Sequence, residues 1–506
     1  MPDGPGADCA TAPHSGHETE FFDVLVVGAG VSGLCAGYYL QTRCPSKSFA
    51  ILEARGAIGG TWDLFRYPGV RSDSDLYTFG YSFSPWEGGK ALADGPSILD
   101  YLHKTAAGFG LMKTIRFHHK AMGANWDSRK AEWTVDVTRA NGETPAQFRC
   151  KFLYLCTGYY DYDEGYCPSW PGTGRFRGRL VHPQHWPEDL DYAGRRVAII
   201  GSGATAVTLV PAMASTAHHV TMVQRSPTYI VAMPAQDRIA IWLRRALPAG
   251  LAHGLARWKN IALTMFFYNM ARLRPAGTKK QILRLARKDL PLEFDAERHL
   301  SPRYNPWDQP LCLVPDGDLF KAIGSGRASI VTGEIETFTE SGLRMRSGEE
   351  VEADIIVAAT GLKLKPMGGM RLAVDGEATD LSRLYIYRGM MLSAMPNFAF
   401  SVGYTNASWT LKCELTARYV CRIVNHMQRR GYAIAVPEVS GPIGEAPAVN
   451  LTSGYITRAL ARLPKQGTQS PWKLYQNYAL DLLLLRYGSL EDGALRFKRA
   501  RSEKRA

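Results

Sequence analysis

The stretch FFDVLVVGAGVSGLCAGYYL spans residues 21–40. Its apolar run Val24–Val27 predicts a strand buried on both faces, as in a parallel sheet. Gly28, Gly30 and Gly33 follow in the spacing G-x-G-x-x-G, and the residues after them predict a helix. The first glycine permits a tight turn, the second lets backbone approach a pyrophosphate, and the third lets helix pack on strand. The helix N-terminus offers its N–H groups to the anion. A second apolar run, FAILEAR, carries Glu53 at its end, where a carboxylate can accept hydrogen bonds from ribose hydroxyls. The three glycines alone are a weak signal; strand, turn, helix, strand and acid together specify a dinucleotide site.

The logic repeats with one change. RVAIIGSGATAVTLVPAM, residues 196–213, gives strand, G-x-G-x-x-A at Gly201, Gly203 and Ala206, then helix. The following strand, HVTMVQRSP, ends in Gln224, Arg225 and Ser226 rather than in an acid. An acid would repel a 2′-phosphate, whereas Arg225 and Ser226 can bind one. The first site therefore suits FAD and the second NADPH, a pairing that implies hydride transfer to a bound flavin. Two further apolar strands end in small turns at Thr157-Gly158 and Thr360-Gly361 and are expected to pass close to cofactor.

After Glu53 comes GAIGGTWDLFRYPGVRSDSDLYTF. Gly59 and Gly60 offer another close backbone approach, with Thr61 and Trp62 behind them. Arg71, Asp73 and Asp75 place charge beside the turn at Arg66–Gly69, and a loop this polar and aromatic reads as a site.

On GAGVSG, GGTW, RYPGVRSD, FRGRLVHPQHWP, GSGATA, QRSP and the ATG turn, the chain resembles the class B flavoprotein monooxygenases, and within them the type I Baeyer–Villiger monooxygenases. Phe176, Gly178, His182, Trp186 and Pro187 fill the pattern F-x-G-x-x-x-H-x-x-x-W-P. The related N- and S-oxygenating enzymes usually end that pattern without the proline. The resemblance runs from about Phe21 onward. TGYYDYDEGY, RYNPWDQ, LCLVPDGDLF and VGYTNASWTLK look closest to the actinobacterial monooxygenases that activate the prodrug ethionamide.

The resemblance implies a reaction. NADPH reduces FAD, the reduced flavin takes up O2 as a C4a-peroxyflavin, and one oxygen atom is inserted into a small hydrophobic ketone to give an ester or lactone. A sulfur-containing substrate would be sulfoxidised. His182 would couple domain movement, with Phe176 and Gly178 structural. Asp73 would tune an active-site arginine that stabilises developing negative charge. By motif alignment that arginine falls at Pro310 in RYNPWDQPLCL. Proline carries no charge, and losing a preorganised cation costs a few kcal/mol, roughly 10²-fold in rate. Three readings stay open: another cation, Arg303 or Lys412, enters the site; the enzyme has shifted to sulfur or nitrogen oxidation or to uncoupled NADPH oxidation; or ketone oxygenation is lost. Trp409, Tyr404 and Asn406 are candidate pocket residues.

Composition bounds the rest. At 506 residues the chain is long enough for two to four domains. The expectation is an α/β fold of two Rossmann-like dinucleotide-binding domains with a helical insertion. Residues 20–165 and 376–506 would form the FAD domain, 170–230 and 308–375 the NADPH domain, and 231–307 the insertion. The first twenty residues read as a leader without an apolar core. Nine cysteines without a C-x-x-C pair suit a reducing cytoplasm, argue against a flavin disulfide reductase, and with the histidines show no metal-ligand spacing. A merely flavin-binding, nonenzymatic protein would have no use for two nucleotide sites. The net charge of +13 concentrates between Asp237 and Leu290 and in the tail RFKRARSEKRA. No nucleic-acid motif accompanies it, so nucleic acid is not an expected partner. The insertion is expected to be amphipathic, with Trp242, Leu243, Trp258, Ile261, Phe266 and Phe267 among its apolar residues. Its basic face makes peripheral membrane contact an expectation as well.

Overall fold

The structure is a computed structural model that describes residues 19–139, 145–449 and 451–500. The first eighteen residues of the expected leader, Cys9 among them, and the end of the basic tail lie outside the described residues.

Two sheets organise the chain. The first is nine-stranded and mixed. Its centre is the apolar strand Glu20–Val27, flanked in parallel by Phe49–Leu52 and Pro145–Leu155. A meander of His119–Asp127 and Glu132–Arg139 joins it through antiparallel pairing. Late chain completes it: Phe398–Phe400 pairs with Pro145–Leu155, and Arg371–Val374 pairs with His119–Asp127. Val24, Leu25 and Val26 have no solvent contact, as a strand covered on both faces requires.

The second sheet has five parallel strands, in the order Ala328–Thr332, His219–Gln224, Arg196–Ile200, Ile355–Ala358, Arg179–Val181. The edge strand Arg179–Val181 comes from FRGRLVHPQHWP, so that motif is part of the second sheet. Phe176 packs edge-on to Phe338, and a side chain at Gly178 would strike the carbonyl of Asp354.

Between the sheets' segments runs the helical insertion. Ile230–Met233 and Cys312–Pro315 pair side by side, so the insertion leaves and returns at one root. Its helices are Arg238–Ala246, Ala249–Leu273 and Pro275–Ala286. The long helix is tied to the first domain by Arg257, which is buried against Glu414 of the helix Trp409–Arg430. Among the described residues no helix is long and apolar enough to cross a membrane.

Candidate active site

The two fingerprint turns have nearly the same geometry. Gly28 sits at φ +104° and Gly201 at φ +141°, where a side chain is strained, and at each the missing Cβ leaves room for a carbonyl of the crossing strand. That carbonyl belongs to Cys156 in the first sheet and to Ala359 in the second, the residues just before the Thr157-Gly158 and Thr360-Gly361 turns. Gly30 and Gly203 then cap the helices Val31–Arg43 and Ala204–Ala214, both at φ −79° and both without a side-chain cap. The first N–H groups of each helix are left for an anion. Gly33 and Ala206 lie off the cavity; a Cβ at Gly33 would overlap the Gly28 carbonyl, and Ala206 is buried.

Both turns open into one cavity of about 2190 Å³. A single small-ligand pocket holds roughly 300–1,000 Å³, so this space is large enough for two nucleotides and a substrate. Glu53 stands at its first end. Its carboxylate accepts from the Ala29 N–H at 2.7 Å and the Arg55 N–H at 2.9 Å, and burial still pushes its pKa above the ordinary carboxylate value. Gly60, at φ +56°, packs against Gly30; Thr61 Oγ1 meets the Tyr162 hydroxyl at 3.0 Å; Trp62 packs edge-on to Phe79. At the second end Arg225 and Ser226 line the cavity, and the Ser226 carbonyl accepts from Ser202 Oγ at 2.9 Å. Gln224, their neighbour in sequence, turns inward and donates to the His299 carbonyl at 2.7 Å. Uncapped helix ends, an acid at one strand end and an exposed arginine at the other fit FAD and NADPH respectively.

His182 lies outside the main cavity. Its Nδ1 accepts from the Gln184 N–H at 3.2 Å, so the proton sits on Nε2, which donates to the Gly361 carbonyl at 3.3 Å. Burial holds its pKa below the usual histidine value. Gly361 belongs to the turn that closes the second sheet, so His182 ties FRGRLVHPQHWP to that turn.

Asp73 and Pro310 both face the cavity. Asp73 points into it, so its accessible surface is cavity wall while its carboxyl sits deep in the protein, and burial pushes its pKa up. Among the described residues no cation pairs with it. Arg71, two residues away, is held by Asp318 at 2.5 Å. Asp75 instead caps the helix Leu76–Phe79 and accepts from Asn260 of the insertion at 3.0 Å. The two replacement cations considered from sequence do not reach Asp73. Arg303 is exposed and off the cavity; Lys412 lines it but is held by Asp481 at 2.7 Å, which also accepts from the Tyr404 hydroxyl at 2.7 Å.

Tyr67, Tyr159, Tyr160 and Tyr455, each with its phenol pKa raised by burial, stand close enough to feel the Asp73 charge. Tyr159 and Tyr160 were visible in TGYY, but nothing in local spacing brings Tyr455 to them. Trp409 stacks on Tyr159 with centroids 5.1 Å apart and donates to Ser32 Oγ at 2.9 Å. Asn406 also lines the cavity, bonded to the Gln476 carbonyl, with its own carbonyl oxygen unpartnered.

Known proteins resemble this chain in sequence and in fold. Residues 26–89 match the NAD(P)-binding Rossmann-like domain and residues 91–242 the flavin-binding monooxygenase-like family. The chain is 52% identical over 481 residues, 95% of its length, to the FAD-containing monooxygenase EthA of Mycobacterium tuberculosis, covering 98% of that protein. It is 45% identical over 478 residues to the probable FAD-binding monooxygenase AlmA of Acinetobacter baylyi, covering 94% of this chain and 96% of that one. Among solved structures the fold matches an oxidized steroid monooxygenase bound to NADP, with TM-score 0.76, 22% identity and coverage of 95% of this chain and 100% of that one. It also matches an open cyclohexanone monooxygenase, with TM-score 0.70, 20% identity and coverage of 95% and 100%.

Proposed function

The chain belongs to the FAD-containing monooxygenases, and from that premise we propose that it uses NADPH and O2 to insert one oxygen atom into a small apolar ketone, a Baeyer–Villiger oxidation, and to oxidise sulfur in the same pocket. One observation carries the reading: both nucleotide turns, Asp73 and the wall of Trp409 and Tyr404 open into the same cavity.

Bound FAD, reduced by NADPH, supplies the activation of O2. Gly28, Gly30, Glu53, Gly60, Thr61 and Trp62 would hold it, and Gly201, Gly203, Arg225 and Ser226 the NADPH. Gly33 and Ala206 support these sites from behind by letting the helices pack. His182, neutral with its proton on Nε2, fixes the closing turn of the second sheet, and its proposed role is to couple movement of the domains through that turn.

A second reading is favoured by a specific observation. Ketone oxygenation develops negative charge on the substrate oxygen, and a cation beside it lowers the barrier. Pro310 supplies none, and among the described residues Asp73 has no cationic partner. Soft sulfur or nitrogen requires no such cation, so this arrangement favours heteroatom oxygenation as an activity that persists where ketone insertion is slowed. The chemistry of eight free described cysteines, seven of them buried, supports a reducing, cytoplasmic location.

Purified holoenzyme with NADPH and air, given an aliphatic ketone or a thioether, separates the readings. Ester from the ketone supports Baeyer–Villiger chemistry. Sulfoxide without ester supports the second reading. NADPH consumed only to hydrogen peroxide overturns both.

A further inference from the structure

The long insertion helix, Ala249–Leu273, turns an apolar face outward. Leu251, Leu255, Trp258, Ala262 and Phe266 follow at i, i+4, i+7, i+11 and i+15, one stripe of the helix, and all are exposed. Trp258 is 49% and Phe266 55% exposed. The opposite side, with Ala252, Ala256, Asn260 and Ala271, is buried. On the helix before it, Ile239 and Trp242 are also exposed, Trp242 at 63%, on the face that carries Arg238 and Arg245. Exposed Arg245 marks one end of the stripe and exposed Arg274 the other; Arg238, also exposed, lies beside its middle, next to Asp237, which pairs with Lys259, and Arg272 is paired with Asp308 at 2.7 Å. This reverses the usual arrangement of a surface helix, whose apolar stripe faces the core.

Leu263 and Phe267 of the same helix, 43% and 60% exposed, also line the cavity. Thr264, Met270 and Arg274 line it beside them. The outer stripe and the cavity wall thus meet along one helix.

We propose that the outer face of the insertion docks on an anionic lipid bilayer and that the cavity takes its apolar substrate from that surface. Charge selects the occupant. A second copy of the chain would meet this face by a two-fold axis, laying the helices antiparallel. Arg245 of one copy would then face Arg274 of the other, like charge on like charge. Acidic headgroups complement both ends, and exposed tryptophans suit the level between headgroup and acyl chain. The helix is about 37 Å long and would lie in the plane of the interface. The inference rests on the apolar-substrate reading above, but docking itself is measurable without turnover.

The test is co-sedimentation of holoenzyme with phosphatidylcholine vesicles with and without phosphatidylglycerol, at low and high salt. Binding to the anionic vesicles that weakens with salt is expected. Replacing Arg238 and Arg245 by glutamine should weaken binding roughly 5-fold per residue. The triple variant Trp242→Ser, Leu255→Ser, Phe266→Ser should abolish it. None of the three side chains lines the cavity, so NADPH-driven oxidation of a water-soluble thioether should continue at the parent's rate. The proposal falls if anionic vesicles bring down no enzyme at low salt, or if the triple variant binds as the parent does. It also falls if the same triple change abolishes a dimer seen in sedimentation velocity while vesicles are ignored. Vesicle binding without oxygenation of any apolar substrate would leave docking standing and remove the substrate reading alone.

Discussion

Arg257 and Glu414 form a buried ion pair 3.3 Å across, joining the insertion to the first domain. Arg257 also donates to the Gly80 carbonyl at 2.5 Å, while Glu414 accepts from both the N–H and the hydroxyl of Ser82. Removing one partner leaves the other charge buried, at a cost of about 3–5 kcal/mol. Arg257→Met should lower stability by that order in denaturant titration. It should also loosen the insertion first, seen as early proteolytic cleavage within residues 238–286. The pairing of Arg257→Met with Glu414→Met should recover part of the loss.

The fingerprint glycines separate folding from binding. Alanine at Gly28 meets the Cys156 carbonyl at 2.5 Å from a φ of +104°. Gly28→Ala should therefore purify without bound yellow FAD. At Gly203 a Cβ meets nothing within 4 Å, and the backbone conformation is ordinary. Gly203→Ala should keep FAD and the parent's melting behaviour, with only the KM for NADPH raised. Equal loss of FAD in both variants would contradict the assignment of the two turns.

Arg225 has no ion-pair partner among the described residues and is exposed at its strand end. A charge-assisted bond to a 2′-phosphate contributes about 1.5–3 kcal/mol, or roughly 10- to 100-fold. Arg225→Ala should lose that factor in kcat/KM with NADPH and little with NADH. Steady-state kinetics with both nucleotides decides it.

Asp73 gives a pH-dependent prediction. Its folded pKa is raised by burial above the ordinary value of about 3.9. Below that value both folded and unfolded chains hold the proton, and Asp73 costs nothing. As pH rises through the folded value, the carboxylate ionises against its desolvation and stability falls. Asp73→Asn should thus melt higher than the parent at about pH 8 and equally at about pH 4. A gain that grows toward acid would contradict it.

Pro310→Arg places a guanidinium on the cavity wall that Asp73 also faces. Ester formation from a ketone should rise about 100-fold. The melting gain of Asp73→Asn should shrink in this background, because the cation stabilises the ionised carboxyl.

The two sheets were legible because Gly-rich turns, apolar strands and helix starts are local signals: Val24–Val27 and Gly28, or Arg196–Ile200 and Gly201, lie within one short window. The different strand ends, Glu53 and Arg225, were legible for the same reason. What sequence could not supply was convergence. Nothing near Asp73 announces Tyr455, and nothing near Lys412 announces Asp481, since each pair meets only through the folded sheet and its helices. Arg257 shows the same limit from the other side. It lies in the basic run between Asp237 and Leu290 with nothing local to mark it for burial, and the structure buries it. Trp242, Trp258, Phe266 and Phe267 read as apolar residues of an amphipathic insertion; the structure leaves the first three exposed away from the cavity and sets Phe267 on its wall.

The first sheet takes strands from both ends of the chain, and this sets an order of events on the ribosome. Pro145–Leu155 must wait for Phe398–Phe400 before that side of its ladder is filled. At about 5–20 residues per second the wait is on the order of 10–50 s. The second sheet, by contrast, has all five strands once Ala358 has emerged. The inner domain can therefore close while the outer one is still being translated, so the nascent chain must carry an open first sheet around a finished second one.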